Sequence, residues 1–355
     1  MLDAGFLPLR NDRAVLRAMR SGDAAAYATG ASDPRVREFA HLPEPEYTEA
    51  SVSAAIDGAI REGLTRGDLA VLTIADPETD EFTGSLVLFD VDAGSVEVGF
   101  WVHPDHRGKG MADAALSLAS ALVQRSGFTR LTARTMPHNS GAQRVLEKAG
   151  FARGTQARDI TPSGEAATLL QYSREIRPSA VLPLVTDRLC LRLHEPGDQV
   201  WLRAIYSQPE VARYLLVEPW SATDAAKEIS KRLVRTGLDD DAEALGLVIE
   251  RDGAPIGDVV LWLVDAERRV AEIGWALDPR QGGRGYAREA VSAVLHLAFE
   301  HYRVHRVAAQ MDARNHPSAT LADAVGMQRE AHLRQDCWSK GEWTDTVVFG
   351  MLASD

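Results

Sequence analysis

Hydrophobic and polar positions along this chain follow two periods, and the two periods appear in the same order twice. Alternation with period 2 predicts strands at 13–18, 69–75, 84–90, 95–102 and 129–135 in the first half. The second half predicts strands at 188–193, 245–250, 257–264, 270–277 and 305–311. A 3.6-residue period predicts helices at 111–124 and 140–149, and again at 286–300 and 317–325. In the first of these, Ala115, Leu118, Ala119 and Leu122 fall at i, i+3, i+4 and i+7, and Gly127 ends the pattern. A further helical region follows the opening strand, ending near 62 in one half and near 236 in the other. Each half closes on a hairpin, turning at Pro162-Ser163-Gly164 and at Lys340-Gly341. Strands and helices mixed in this way predict an α/β or α+β domain, made twice.

Direct comparison of the halves supports a duplication. Asn11-Asp12-Arg13-Ala14-Val15-Leu16-Arg17 matches Thr186-Asp187-Arg188-Leu189-Cys190-Leu191-Arg192 at an offset of 175. The same offset pairs Glu97-Val98-Gly99-Phe100 with Glu272-Ile273-Gly274-Trp275, and Gly110-Met111-Ala112 with Gly285-Tyr286-Ala287. Later it becomes 176, matching Asn139 to Asn315 and Ala149-Gly150-Phe151 to Val325-Gly326-Met327. The period is too long for a solenoid. The expected domains are 1–177 and 178–355, with a boundary in the proline-flanked stretch 177–183.

Composition narrows the function. The 355 residues carry a formal charge of −12, divided as −5 over 1–177 and −7 over 178–355. That balance argues against a nucleic-acid or anionic-membrane partner and suits a cationic or amine-bearing one. The N-terminus has no basic segment followed by an apolar one, and no apolar run approaches the ~18 residues of a membrane span, so the expected location is the cytoplasm. Cys190 and Cys337 form no CxxC and are expected to be buried free thiols. His103-Pro104-Asp105-His106 has metal-ligand residue types but occupies a turn, and no metal is expected.

The most specific local feature is a strand, a glycine loop and a helix. The loop reads His106-Arg107-Gly108-Lys109-Gly110-Met111-Ala112 in one half and Gln281-Gly282-Gly283-Arg284-Gly285-Tyr286-Ala287 in the other. Glycines permit close backbone approach, and the first helical turn offers unpaired N–H groups with a partial positive charge. Together these suit a pyrophosphate, with Arg107 and Lys109 as countercharge. Neither loop fits a Walker motif or a dinucleotide fingerprint.

These residues resemble the acyl-CoA motif of the GNAT superfamily of N-acetyltransferases: Arg107, Gly110 and Ala112 after a Glu-bearing strand, then Asn139-Ser140-Gly141-Ala142. The second half resembles the ribosomal-protein alanine acetyltransferase branch (RimJ/RimL-like), through Thr186-Asp187-Arg188-Leu189, Asn315-His316-Pro317-Ser318 and Lys340-Gly341-Glu342-Trp343. The resemblance implies two tandem domains, each a splayed mixed sheet flanked by helices, with acetyl-CoA as co-substrate in the split. Its pyrophosphate would rest on Gly108, Lys109, Gly110, Met111 and Ala112, and on Gly283, Arg284, Gly285, Tyr286 and Ala287. Asn139 and Asn315 match the asparagine near the pantetheine arm. Gly282 departs from the pattern at the place of Arg107, which implies weaker donor binding in the second half.

The resemblance also implies the chemistry. A lysine-like amine of pKa about 10.4 is about 3.4 units from neutrality at pH 7, so deprotonating it costs about 4.6 kcal/mol. A carboxylate can act as general base, and a hydroxyl can protonate the departing thiolate. Glu97 and Glu272 stand at equivalent places for the base. Ser318 matches the proposed acid, a role compatible with capping a helix, and the first half has Ala142 there. Cys337 takes the place of an acid in the closing hairpin, and Asp336 is expected on the opposite strand face. The reading is therefore an N-acetyltransferase for a small amine, an aminoglycoside-like compound or a protein N-terminus, with the C-terminal half as catalyst. The alternative is a non-catalytic acyl-CoA-binding protein with degenerate sites. The duplication is compatible with a monomer that imitates a dimer and with further assembly.

Overall fold

The computed structural model describes residues 1–161, 163–176 and 182–355. The chain divides into two compact units, Met1–Pro178 and Ser179–Asp355. Most of the expected boundary segment 177–183 and Pro162 of the first expected hairpin turn lie outside the described residues.

The first unit begins with strands β1 (Leu9–Arg10) and β2 (Val15–Ala18), followed by helices α1 (Ala24–Ala31), α2 (Pro34–Phe39), α3 (Glu49–Ala55) and α4 (Arg61–Arg66). Strands β3 (Ala70–Ala75), β4 (Phe82–Phe89) and β5 (Ser95–Val102) lead into α5 (Met111–Arg125). Then come β6 (Arg130–Thr135), α6 (Ser140–Lys148), β7 (Ala152–Ile160) and β8 (Ala166–Glu175). These form one eight-stranded mixed sheet in the order β1-β2-β3-β4-β5-β6-β8-β7.

The second unit repeats the plan. Strands β9 (Leu184–Val185) and β10 (Cys190–Leu193) precede α7 (Gln199–Tyr206), α8 (Pro209–Ala212) and α9 (Ala222–Arg232). Next are β11 (Thr236–Gly237), β12 (Ala244–Arg251), β13 (Ala254–Asp265), β14 (Val270–Leu277) and α10 (Tyr286–Glu300). It closes with β15 (Arg306–Asp312), α11 (His316–Ala324), β16 (Gln328–Ser339) and β17 (Glu342–Leu352). The sheet order mirrors that of the first unit, with β11 added beside β12.

Helices α5 and α10 form because their apolar stripes are complete: Ala115, Leu118, Ala119 and Leu122 are fully buried, as are Ala290, Val291, Val294 and Ala298. Two expected boundaries move. The first helical region runs on to Arg66, where Gly67 at φ +74° caps it. Position 236 is not the end of a helix: α9 stops at Arg232, and Thr236 and Gly237 pair with Leu245 and Ala244. Leu233, Val234 and Leu238 around it are all buried, a pattern no one-sided surface helix can satisfy.

Each opening strand is tied to the start of the helix after it by an ion pair, buried in the first unit and part-buried in the second. Arg17 grips Asp23 with two bonds of 2.8 and 2.9 Å, and Arg192 grips Asp198 with the same two distances. Burial pushes the Asp23 carboxyl up, but Arg17, the Arg20 N–H and the Thr73 hydroxyl outweigh it and hold the group below the usual carboxylate range. A depressed carboxylate stabilises the fold above its unfolded pKa of about 3.9, and that stability is lost as pH falls through the lower folded value. Asp23→Ala and Asp198→Ala are each expected to cost about 3 kcal/mol at pH 7, measured by urea unfolding. The difference from wild type should shrink below about pH 4.

Candidate active site

The parallel strands at the centre of each sheet separate. Strand β5 pairs with β6 only at Ser95–Arg130, Val96–Leu131 and Glu97–Thr132, although β5 continues to Val102. Strand β14 pairs with β15 only at Val270–Arg306, Ala271–Val307 and Glu272–Ala308, and continues to Leu277. The split therefore opens at the same glutamate in both units. Beyond it, one edge of β5 and of β14 has no partner strand among the described residues, so its backbone groups face into the gap. On their other edges, β5 and β14 stay fully laddered to β4 and β13.

The strand then enters the glycine loop. In the first unit His103 caps a short turn over Pro104–His106; in the second, Asp278 caps Pro279–Gln281. Gly110 and Gly285 begin α5 and α10 at φ +76° and +79°, a left-handed conformation that costs any residue with a Cβ. The first intrahelical bonds run from the Ala114 N–H to Gly110 and from the Glu289 N–H to Gly285, both 3.1 Å. The preceding N–H groups of residues 111–113 and 286–288 thus have no intrahelical acceptor and point out of the helix end. An anion is the natural partner of such an end.

The side chains around the loops refine the expected countercharges. Arg107 is already ion-paired: its Nη2 lies 2.6 Å from the Asp33 carboxylate, whose pKa it lowers. Lys109 is exposed and makes no ion pair among the described residues. Gly282 holds φ −61° and ψ 159°, close to the −64° and 152° of Arg107, so the departure removes a side chain and leaves the backbone path unchanged. Exposed Arg284 retains a cation in the second loop.

Two further arginines reach the loops. A Cβ on Gly110 would lie 3.3 Å from Nη1 of Arg13, and one on Gly285 would lie 3.4 Å from Nη2 of Arg188. Arg188 also donates to the Arg284 carbonyl at 3.0 Å, pairs with Glu289 at 2.6 Å and stacks on the Tyr286 ring. Sequence reasoning matched these arginines across the repeat but gave them no role. The usable signal was an arginine retained ahead of each opening strand.

The glutamates are held differently. Glu97 accepts from Arg134 Nε at 2.8 Å, and the same guanidinium also binds Asp159 at 2.8 Å and Asp90 at 3.3 Å. Burial raises the Glu97 carboxyl above the ordinary range, and Arg134 only partly reverses this. Glu272 instead accepts a neutral bond of 2.7 Å from Gln310 Nε2, and Gln310 is the counterpart of Arg134. Asn139 and Asn315 each cap the next helix, accepting from the Ala142 and Ser318 N–H groups at 3.1 and 3.2 Å. So the cap of α11 is Asn315, and the half-buried hydroxyl of Ser318 makes no hydrogen bond among the described residues.

A cavity of about 410 Å³ in the first unit brings Glu97, Arg134, Asn139 and Ala142 together; residues 107–112 do not line it. A second cavity of about 320 Å³, in the other unit, is lined by Gln310, Asp312, Asp336, Cys337 and Lys340. Glu272, Asn315, Ser318 and residues 283–287 lie outside that cavity's lining. Asp336 and Cys337 share it, against the expectation of opposite faces. The β16–β17 register shifts between Leu333 and Cys337, and Gln335 turns to φ +49°, so the simple alternation fails there. Both cysteines are free, but each is half-buried rather than buried as expected, since both lie on outer strands of the sheet. Residues 103–106 form the turn, and no cluster of three potential metal ligands occurs among the described residues.

Comparison with known proteins gives the following. A model of the acetyltransferase (GNAT) domain matches residues 13–152 and again 188–328. The uncharacterized N-acetyltransferase p20 of Bacillus licheniformis is 29% identical over 169 residues, covering 48% of this chain and 95% of p20. A spermidine N(1)-acetyltransferase of Vibrio cholerae is 24% identical over 170 residues, covering 48% of this chain and 96% of that protein. Among solved structures, the Vibrio cholerae spermidine N-acetyltransferase in complex with CoA and spermine matches with a TM-score of 0.42 and 24% identity, covering 48% of this chain and 98% of that one.

Proposed function

Since the chain belongs to the GNAT acetyltransferase family, we propose that it moves an acetyl group from acetyl-CoA to a primary amine by direct attack, with the C-terminal unit as the catalyst. The observation that carries acetyl transfer is the split at the glutamate, one strand-length ahead of a helix end rich in unpaired N–H groups, and the choice of the second unit follows from Ser318, where the first has Ala142. The N–H groups of residues 283–287, with Arg188 and Arg284, hold the donor's pyrophosphate; in the first unit residues 108–112, Lys109 and Arg13 do so. Asn139 and Asn315 border the donor's arm. The donor supplies an activated thioester, and the protein supplies the proton handling.

In this reading the Glu272 carboxylate takes the proton of the acceptor ammonium, directly or through water. The amine nitrogen bonds to the acyl carbon and the carbon–sulfur bond breaks. The Ser318 hydroxyl protonates the leaving thiolate and regains a proton from the second N–H of the acylated nitrogen, while the first proton passes from Glu272 to solvent. Backbone N–H groups on the open edge of β14 polarise the carbonyl. The acceptor is a small-molecule amine or a protein N-terminus; the Asp336 carboxylate, with no ion pair among the described residues, favours one bearing a second positive charge. The RimJ/RimL-like affinity of this unit belongs to the same proposal.

A thiol-release assay with acetyl-CoA and a panel of polyamines, aminoglycosides and peptide N-termini tests it. Ser318→Ala is expected to lower kcat about 10-fold to 100-fold with KM for the amine little changed. Acetyl-CoA binding without release for any acceptor would instead establish a binding protein.

A further inference from the structure

We propose that the cavity of the first unit is a second acceptor pocket, shaped for a primary amine carried on an apolar, ring-sized body. The chain would then hold two sites of different acceptor preference. The inference rests on the N-acetyltransferase reading and adds a substrate class to it.

Strand alternation puts Glu97, Gly99 and Trp101 on one face of β5. Trp101 packs edge-on against Tyr27 of α1, with ring centroids 5.2 Å apart. Besides Glu97 and Gly99 the cavity is lined by Phe39, Leu42, Tyr47 and Val71, and a Cβ on Gly99 would crowd the lining side chain of Val87, at 3.1 Å from its Cγ1. The whole cavity, about 410 Å³ and including the part at Asn139 that borders the donor's arm, falls in the range of small-ligand pockets. The lining groups that carry or can take charge are the Glu97–Arg134 pair, His41 and Glu44. Burial holds His41 below its usual pKa, which keeps it neutral, and Glu44 is exposed. An amine at Glu97 thus has an apolar slot behind it. A second ammonium in that slot would lose its water without gaining a partner.

On the matching face of the second unit, described side chains fill the space. Trp101 corresponds to Ala276, which pairs across the sheet with Asp258. Over that position the protein's own side chains are packed: the Tyr206 hydroxyl donates to Asp258 at 2.7 Å, Arg232 donates to it at 3.1 Å, and Trp220 stacks on Tyr206 at 4.1 Å. All four are buried. The cavity described in this unit lies instead against β15, β16 and β17 and carries Asp312, Arg314, Asp336, Lys340 and Glu342. Two copies of one fold have therefore filled or emptied the same face differently.

The test compares phenethylamine with spermidine in the intact chain. Val87 lines the apolar slot, so Val87→Trp should raise the phenethylamine KM at least about tenfold and alter spermidine turnover less than about twofold. Leu42→Trp, on the segment between α2 and α3, should do the same and guards against a packing defect at Val87. Gly285→Glu should leave phenethylamine acetylation intact. Phenethylamine kinetics unchanged by both tryptophan variants would overturn the proposal, as would loss of its acetylation in Gly285→Glu. A fall in hexanoyl-CoA use with phenethylamine kinetics unchanged would assign the slot to the acyl chain and overturn it too. Calorimetry separates the two readings. Phenethylamine that binds wild type but not Val87→Trp, with no thiol released, upholds the pocket while the acetyltransferase reading falls; no binding at all overturns the pocket.

Discussion

Glu272→Gln is expected to lower turnover about 10²-fold to 10⁴-fold while acetyl-CoA binding stays unchanged. The substitution keeps the size of the side chain and removes only its capacity to take a proton. Gln310 Nε2 already donates to this carboxylate at 2.7 Å, and the amide oxygen of glutamine can accept the same bond, so the local structure should survive. The effect should appear in kcat and in kcat/KM alike, because the lost interaction is one made during proton transfer. Glu97→Gln supplies the comparison. If it abolishes polyamine acetylation and Glu272→Gln does not, the catalyst is the first unit. The two sites should also differ in pH response. Burial raises the Glu97 carboxyl, so any reaction it serves should lose kcat/KM as pH falls through that raised value, where the base becomes protonated. Arg134→Gln, which copies the Gln310 arrangement, should move the Glu97 profile to higher pH, since it removes the cation that partly offsets burial.

The second large effect concerns the loops. Gly110→Glu and Gly285→Glu are each expected to remove one acetyl-CoA site in a calorimetric titration, weakening it by about 100-fold or more. The left-handed backbone disfavours any Cβ by about 1–2 kcal/mol. The new carboxylate would also stand at the helix end that should receive a pyrophosphate, competing for the free N–H groups and repelling the ligand. It would pair as well with Arg13 or Arg188, whose guanidinium atoms lie 3.3 and 3.4 Å from the added Cβ, and so withdraw a cation from the ligand. Two sites, each lost to one substitution, would mean that both loops work. A single site lost only in Gly110→Glu would overturn the assignment of catalysis to the second unit. No binding in wild type would undo the acetyltransferase reading.

Much of this site was legible in the chain because its parts are local. A strand, a left-handed glycine and an amphipathic helix follow one another within about 30 residues, and each leaves a periodic or compositional mark. Strands 95–102 and 270–277 and helix 286–300 match the expected bounds to the residue. The repeat placed Glu97 opposite Glu272 and Asn139 opposite Asn315 without any knowledge of contacts. Where the reading went astray, a local rule was broken by a non-local partner. Residue 236 joins a strand because β12 offers it a ladder, and Asp336 turns toward the cavity because a bulge interrupts β16. Arg107 was expected to supply countercharge, and no mark along the chain shows that Asp33, 74 residues earlier, pairs with it.

By itself, then, the sequence determined the duplication, the order of elements and the phosphate-suited loops, since backbone conformation and burial period are written residue by residue. Only the tertiary structure decided where the parallel strands part, since that depends on register between segments about 35 residues apart. It likewise decided that Arg134 holds one glutamate and Gln310 the other, and that one unit leaves open a face which the other fills with Tyr206, Trp220 and Arg232. Those are properties of side chains meeting across the fold, and a pattern along the chain carries no record of which residues will meet.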